Sequence, residues 1–182
     1  PQAPGFPGMQ RHVVLEANGV KVGVFGLTTP GLGRLASAET MARLDVWALS
    51  EVAAAEVAVL EPQVDVVVAL THTGIESDRA LARDVPGIDL IVGGHSHTAL
   101  LEPERVGETW IVQAGSYARQ LGVLEIGVED GRITSFDGGL HDLLPDALPM
   151  PPTPRTRALV DHWGAELDAR FAVPVGTSAA VL

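Results

Sequence analysis

Three histidines stand where apolar runs stop. Val64 to Leu70 leads into Thr71-His72-Thr73-Gly74, and Ile88 to Val92 leads into Gly93-Gly94-His95-Ser96-His97. Neutral imidazole is a common ligand for transition metals. An i, i+2 pair after two glycines predicts both rings on one side of an extended loop, with backbone free to bend around an ion. Ligands of open α/β sheets bind at the carboxyl ends of strands. The spacing therefore predicts that His72, His95 and His97 face one crevice as a metal site, whereas His12, His141 and His162 read as hydrogen-bonded core or turn residues.

What such a site can do depends on its charge. Three neutral imidazoles can hold one Zn²⁺ with an open fourth position. A two-metal centre, with ions about 3.5 to 4 Å apart, needs negative ligands to offset their repulsion. Asp65, Glu76, Asp78 and Asp89 lie nearby in sequence, but they fall at strand starts or on a helix surface, where charged residues are solvated. Ser96 lacks a Gly-x-Ser-x-Gly elbow and a carboxylate to orient a base, so it reads as a spacer rather than a nucleophile. Gly31-Leu32-Gly33 and Gly138-Gly139 lack the spacing of phosphate loops and read as turns.

The elements that must carry these residues alternate in type. His12 to Ala17, Asn18-Gly19 and Val20 to Leu27 form a tight hairpin signal, with the second strand apolar enough to be covered on both faces. Trp47 to Leu60 is helical, with Ala48, Val52, Ala55 and Val59 near one face and Glu51 and Glu56 toward solvent. Val64 to Leu70 is a central strand, Glu76 to Arg83 a short helix, and Ile88 to Val92 the next strand. Thr109 to Gln113, Gln120 to Val128 and Arg132 to Leu140 follow as strands, with a turn at Glu129-Asp130-Gly131 and an antiparallel second half of the sheet expected. The proline-rich stretch Leu144 to Pro154 marks a domain edge. Beyond it, Arg157 to Phe171 is an amphipathic helix with Leu159, Val160, Trp163, Leu167 and Phe171 in one stripe. The fold class is α/β, with one domain over 1–144 and a connector, linker helix and start of a further domain over 145–182.

Composition sets the outer limits. The 182 residues are 46% hydrophobic and 19% charged, which suits a sizeable core. There is no cysteine, hence no disulfide, thiolate zinc site or thiol nucleophile. A net charge of −11 without any basic block argues against polymeric nucleic acid as a partner. A small phosphorylated molecule remains possible where bound cations supply positive charge. No apolar run approaches the roughly 18 residues of a membrane-spanning helix. The chain opens on Pro1 with no initiator Met, which reads as a cut from something longer.

Gly94-His95-Ser96-His97 resembles the Gly-His-x-His motif of the calcineurin-like metallophosphoesterase superfamily. Val66 to Gly74 together with Ile88 to His97 is similar to its 5′-nucleotidase branch, over about His12 to Leu140. The resemblance implies part of a four-layer α/β sandwich with two divalent cations, zinc, manganese or similar, and water attacking phosphorus in line. His72 and His95 match ligands of one cation and His97 a ligand of the other. The helix after the prolines resembles the linker into a C-terminal substrate-binding domain. The family's Asp-x-His, Gly-Asp and Gly-Asn-His motifs, with the general-acid His, do not precede His72. The expectation is thus a segment of a nucleotide phosphoester hydrolase, acting on monoesters, with cyclic diesters as a second substrate class. Alone it is inactive, and its partners are a small nucleotide substrate and the N-terminal half and C-terminal domain of the same protein. The branch implies a periplasmic or extracellular parent. Two other readings stay open: a dimanganese hydrolase of thiosulfate oxidation on the same scaffold, and a non-catalytic relic holding one Zn²⁺ or none.

Overall fold

The Asn-Gly turn folds as its chemistry requires. Asn18 and Gly19 both take left-handed backbone, with φ of 53° and 82°, and so join β1 (His12–Ala17) to β2 (Val20–Thr28) as a two-residue hairpin. A computed structural model of the chain describes residues 8–129, 131–143, 151–172 and 176. After a short 3-10 turn (Pro30–Arg34) come α1 (Ala38–Met41), α2 (Leu49–Leu60), β3 (Val66–His72), α3 (Ile75–Asp84) and β4 (Leu90–Val92). β5 (Glu104–Val106), β6 (Thr109–Val112), β7 (Gln120–Glu129), β8 (Arg132–Asp142) and α4 (Pro154–Phe171) complete the order.

Six strands form one mixed sheet in the order β1-β2-β3-β4-β6-β5. β2, β3, β4 and β6 run parallel, while β1 and β5 close the two edges antiparallel. One row across the parallel strands, Phe25–Ala69–Ile91–Ile111, is set by register and lies under the helices. Its members are at most 1% exposed and form the centre of the core, with Ala53, Val57 and Leu60 of α2 and Leu81 and Ala82 of α3. Each large apolar side chain so buried contributes about 1.5 to 3 kcal/mol.

Alternation sends the next residues to the opposite face. There Trp110 meets Phe136 of β8, ring centroids 4.6 Å apart. The β7–β8 hairpin leaves a cavity of about 240 Å³ lined by Val92, Leu100, Val112, Leu124 and Leu140. The layers of this part of the chain are therefore helices, mixed sheet and hairpin, an α/β arrangement. The chain divides into two compact units, Pro1–Leu144 and Pro145–Leu182. In the second, the stripe Leu159, Val160, Trp163, Leu167 and Phe171 of α4 is exposed.

Several sequence expectations are corrected here. β6 pairs parallel with β4, and β7–β8 forms its own two-stranded antiparallel sheet, so beyond β4 the six-stranded sheet turns antiparallel at β5, which the strand signals missed. The outer face of β2 is not fully covered: Val22 and Val24 are half-buried and Gly26 is exposed. Gly138-Gly139 lies within β8 rather than in a turn; a methyl on Gly138 would collide with the Val123 carbonyl oxygen. α2 buries a different stripe, Ala53, Glu56, Val57 and Leu60, and leaves Val59 exposed. Glu56 is tolerated inside because Arg11 Nε and His12 Nδ1 both meet its carboxylate at 2.7 Å. Asp130 of the expected turn and Leu144 to Met150 of the proline segment lie outside the described residues.

Candidate metal centre

His72 is the last residue of β3, paired in register with Thr28. Thr73 and Gly74 then turn the chain directly into α3, with Gly74 at φ 94°, a conformation that glycine adopts without penalty. His95 follows Gly93-Gly94 at the end of β4, the neighbouring parallel strand. The two rings meet edge to face, centroids 5.0 Å apart. The two strand-end loops therefore open onto one crevice, and both rings are exposed there. A methyl on Gly94 would stand 3.1 Å from His72 Nδ1, so the bare glycine lets the two loops close on each other.

His97 is placed differently. Its ring packs edge to face on Tyr117, centroids 5.4 Å apart. The loop is not extended as expected: His95 and His97 both adopt left-handed φ, 75° and 58°, which is costly for residues with a side chain and is characteristic of functional loops. The kinked backbone sends one ring to His72 and the next toward Tyr117. Among the described residues no three His, Asp or Glu side chains gather closely enough to enclose an ion.

The acidic residues near the histidines in sequence are engaged elsewhere. Asp65 accepts from the Lys21 N–H at 2.8 Å, and Asp89 from the Val67 N–H at 2.7 Å. Glu76 is bound by Arg79 on the surface of α3. Asp78 is the surprise, because it is not solvated on the helix surface but fully buried. Its Oδ1 accepts from the Thr71 and Thr73 hydroxyls at 2.7 and 2.5 Å, the residues on either side of His72. Burial pushes its carboxyl above the ordinary range, and the two hydroxyls partly oppose that.

Ser96 is likewise more than a spacer. Its Oγ accepts from the Ile75 N–H at the start of α3 and donates to Gln113 Oε1, which also accepts from the Thr98 N–H at 2.7 Å. The sequence reads Asp78 as a solvated helix residue and does not single out Gln113, yet each carries a signal. Ile75, Asp78, Leu81 and Ala82 form one buried helical stripe, and Gln113, just past β6, continues the alternation of buried Thr109 and Ile111, so both polar residues fall at positions whose spacing marks them as buried.

The donor set is neutral nitrogen at an exposed strand end, backed by buried hydrogen bonds. That fits part of a transition-metal site, because such ligands are commonly oriented by the residues around them. It does not by itself offset the charge of two divalent ions.

No protein-family model matches the chain. Individual relatives do. The trifunctional nucleotide phosphoesterase protein YfkN of Bacillus subtilis is 31% identical over 88% of this chain and 11% of its own length. The solved 5′-nucleotidase precursor of Thermus thermophilus is 25% identical, with a TM-score of 0.70 over 88% of this chain and 35% of its own. The chain belongs to the calcineurin-like metallophosphoesterases of 5′-nucleotidase type. The metallophosphoesterase fold is matched further by the sulfate thiohydrolase SoxB of Thermus thermophilus, at 24% identity and a TM-score of 0.81 over 92% of this chain and 30% of its own. The chain thus spans about a tenth of the length of YfkN and about a third of each of these two solved chains.

Proposed function

We propose that this metallophosphoesterase chain carries the imidazole half of a two-metal centre that hydrolyses phosphoesters of nucleotides. The observation that carries the reading is the meeting of His72 and His95, 5.0 Å apart by ring centroid, at the carboxyl ends of adjacent parallel strands in a 5′-nucleotidase-type chain. His72 and His95 would hold one cation and His97 the other. When bound, the ions supply a polarised phosphoryl oxygen and bound water whose pKa falls toward about 7.

The chain's own residues give this chemistry direction. Exposed imidazoles at a strand edge leave room for a phosphate from solvent, and the paired loops fix where it is met. Carboxylate ligands that offset the ions' repulsion, and a general acid, belong to the same centre but not to these three histidines. Residues 1–144 are accordingly read as the C-terminal part of the catalytic domain, and 145–182 as a connector into a substrate-binding domain. An exported location belongs to the same reading. The likeness to a sulfate thiohydrolase is one of fold, whereas the B. subtilis sequence relative acts on nucleotide phosphoesters by its name, which favours the nucleotide reading.

The test is a calorimetric titration of the purified chain with Zn²⁺ and Mn²⁺, beside a nucleotide monophosphate hydrolysis assay. Weak uptake, lost in His95→Ala, and no turnover are expected. Tight uptake of two ions per chain would show that the carboxylate half is present after all. Undiminished uptake in His95→Ala would remove the histidines from the centre.

A further inference from the structure

His72 ends β3 and His95 lies on the loop after β4, and both residues are exposed, so their mutual placement must be set from beneath. Two hydrogen-bonded clamps lie there. Asp78 of α3 holds Thr71 and Thr73 on either side of His72. Gln113, just past β6, holds Ser96 and Thr98 on either side of His97, and Ser96 also adjoins His95. Because the Thr98 N–H is a donor, the Gln113 atom facing it is the carbonyl oxygen, which turns its amide nitrogen away from the loop.

Each clamp has one buried atom left over. Asp78 Oδ2 and Gln113 Nε2 have no hydrogen-bond partner among the described residues, and their side chains are 0% and 2% exposed. Both aim at the same spot: a methyl on Gly93 would lie 2.5 Å from Asp78 Oδ2 and 3.0 Å from Gln113 Nε2. One is an acceptor and the other a donor, and a buried carboxylate oxygen left alone is costly. The bare α-carbon of Gly93 keeps that space open.

We propose that Asp78 Oδ2 and Gln113 Nε2 face each other across Gly93 as a polarity-matched acceptor and donor, and that these two side chains are the positioning residues that lock His72 to the His95 loop. The pairing rests on the reading of His72 and His95 as ligands for its purpose, but not for its existence. Such supporting groups commonly change metal affinity ten- to hundredfold when altered. The pair also has a polarity that can be exchanged. Asp78→Asn places a donor against the Gln113 donor. Gln113→Glu places an acceptor against the Asp78 acceptor. Together they restore one donor facing one acceptor while leaving an oxygen toward Thr71 and Thr73 and another toward Ser96 and Thr98.

The experiment compares the full chain with Asp78→Asn, Gln113→Glu and the double variant. Two signals are read: Co²⁺ affinity by visible absorption, and the ring-to-ring nuclear Overhauser effect between His72 and His95 without metal. Each single change is expected to lower Co²⁺ affinity about ten- to hundredfold and weaken the ring contact, and the double variant to regain most of both. A double variant no better than the poorer single, or single changes that leave the metal-free ring contact intact, would overturn the pairing. If the unaltered chain takes up no Co²⁺, the metal reading fails, and the ring contact alone decides for or against the pair. Should a single variant not fold, Ser96→Ala cuts the same brace at its exposed end; an unchanged ring contact there would also overturn it.

Discussion

Gly93 has no room for one more carbon, since a methyl there would press on two buried polar atoms that cannot swing into solvent. Gly93→Ala is therefore expected to cost about 1 to 3 kcal/mol, the usual range for overpacking, read as a lowered urea midpoint; an unchanged midpoint would contradict the packing. At this scale the histidines were legible because their chemistry is in their type and their place follows from where apolar runs end. Asp78 reads as solvated from the sequence, since a lone carboxylate on a helix normally is, and the structure buries it. Only the hydroxyls of Thr71 and Thr73, brought to it by the turn at Gly74, make its burial acceptable.

Helix α2 shows how a neighbouring element chooses a face. Its sequence offers alanine and valine on several sides, so the apolar stripe alone is ambiguous. Arg11 and His12 of the β1 edge decide it by receiving Glu56 inside. Removing that carboxylate is expected to loosen β1 from α2. Glu56→Ala should lose about 2 kcal/mol, the scale of hydrogen bonds to charged groups. Glu56→Met should lose less because it refills the space. Both are measurable by thermal unfolding, and equal midpoints for Glu56→Ala and the unaltered chain would show that the contact is idle. The Asn18-Gly19 hairpin, by contrast, was local and plain. Gly19→Ala places a side chain at φ 82° and is expected to cost on the order of 1 kcal/mol.

For the molecule as a whole, pH separates two kinds of carboxyl. Burial raises Asp89 above its ordinary value, as it does Asp78, while the Val67 N–H partly opposes this and the Glu61 charge adds to it. A carboxyl raised on folding adds stability that is fully present below its unfolded value near 4 and is lost as pH rises through the folded one. Glu104 is held low by its hydrogen bonds with Arg79, so its contribution is present above the unfolded value and lost as pH falls through the folded one. Asp89→Asn, which keeps an oxygen for the Val67 N–H, should thus gain relative to the unaltered chain between pH 4 and 7. Glu104→Gln should lose at pH 7 and lose less at pH 3. Unfolding midpoints across that range check both signs, and parallel profiles for all three proteins would refute the assignment.

Apart from β5, α1 and the 3-10 turn, the strand, helix and hairpin identities, the α/β class and the histidine motif were determined by the sequence alone, because they rest on local periodicity, turn chemistry and residue type. Tertiary structure decided which face each element buries, that β6 joins the sheet parallel to β4, and that His95 turns to His72 while His97 packs on Tyr117. Those outcomes depend on partners distant in the chain, and the free energy of burying a group is set by what meets it there, which spacing along the chain does not encode.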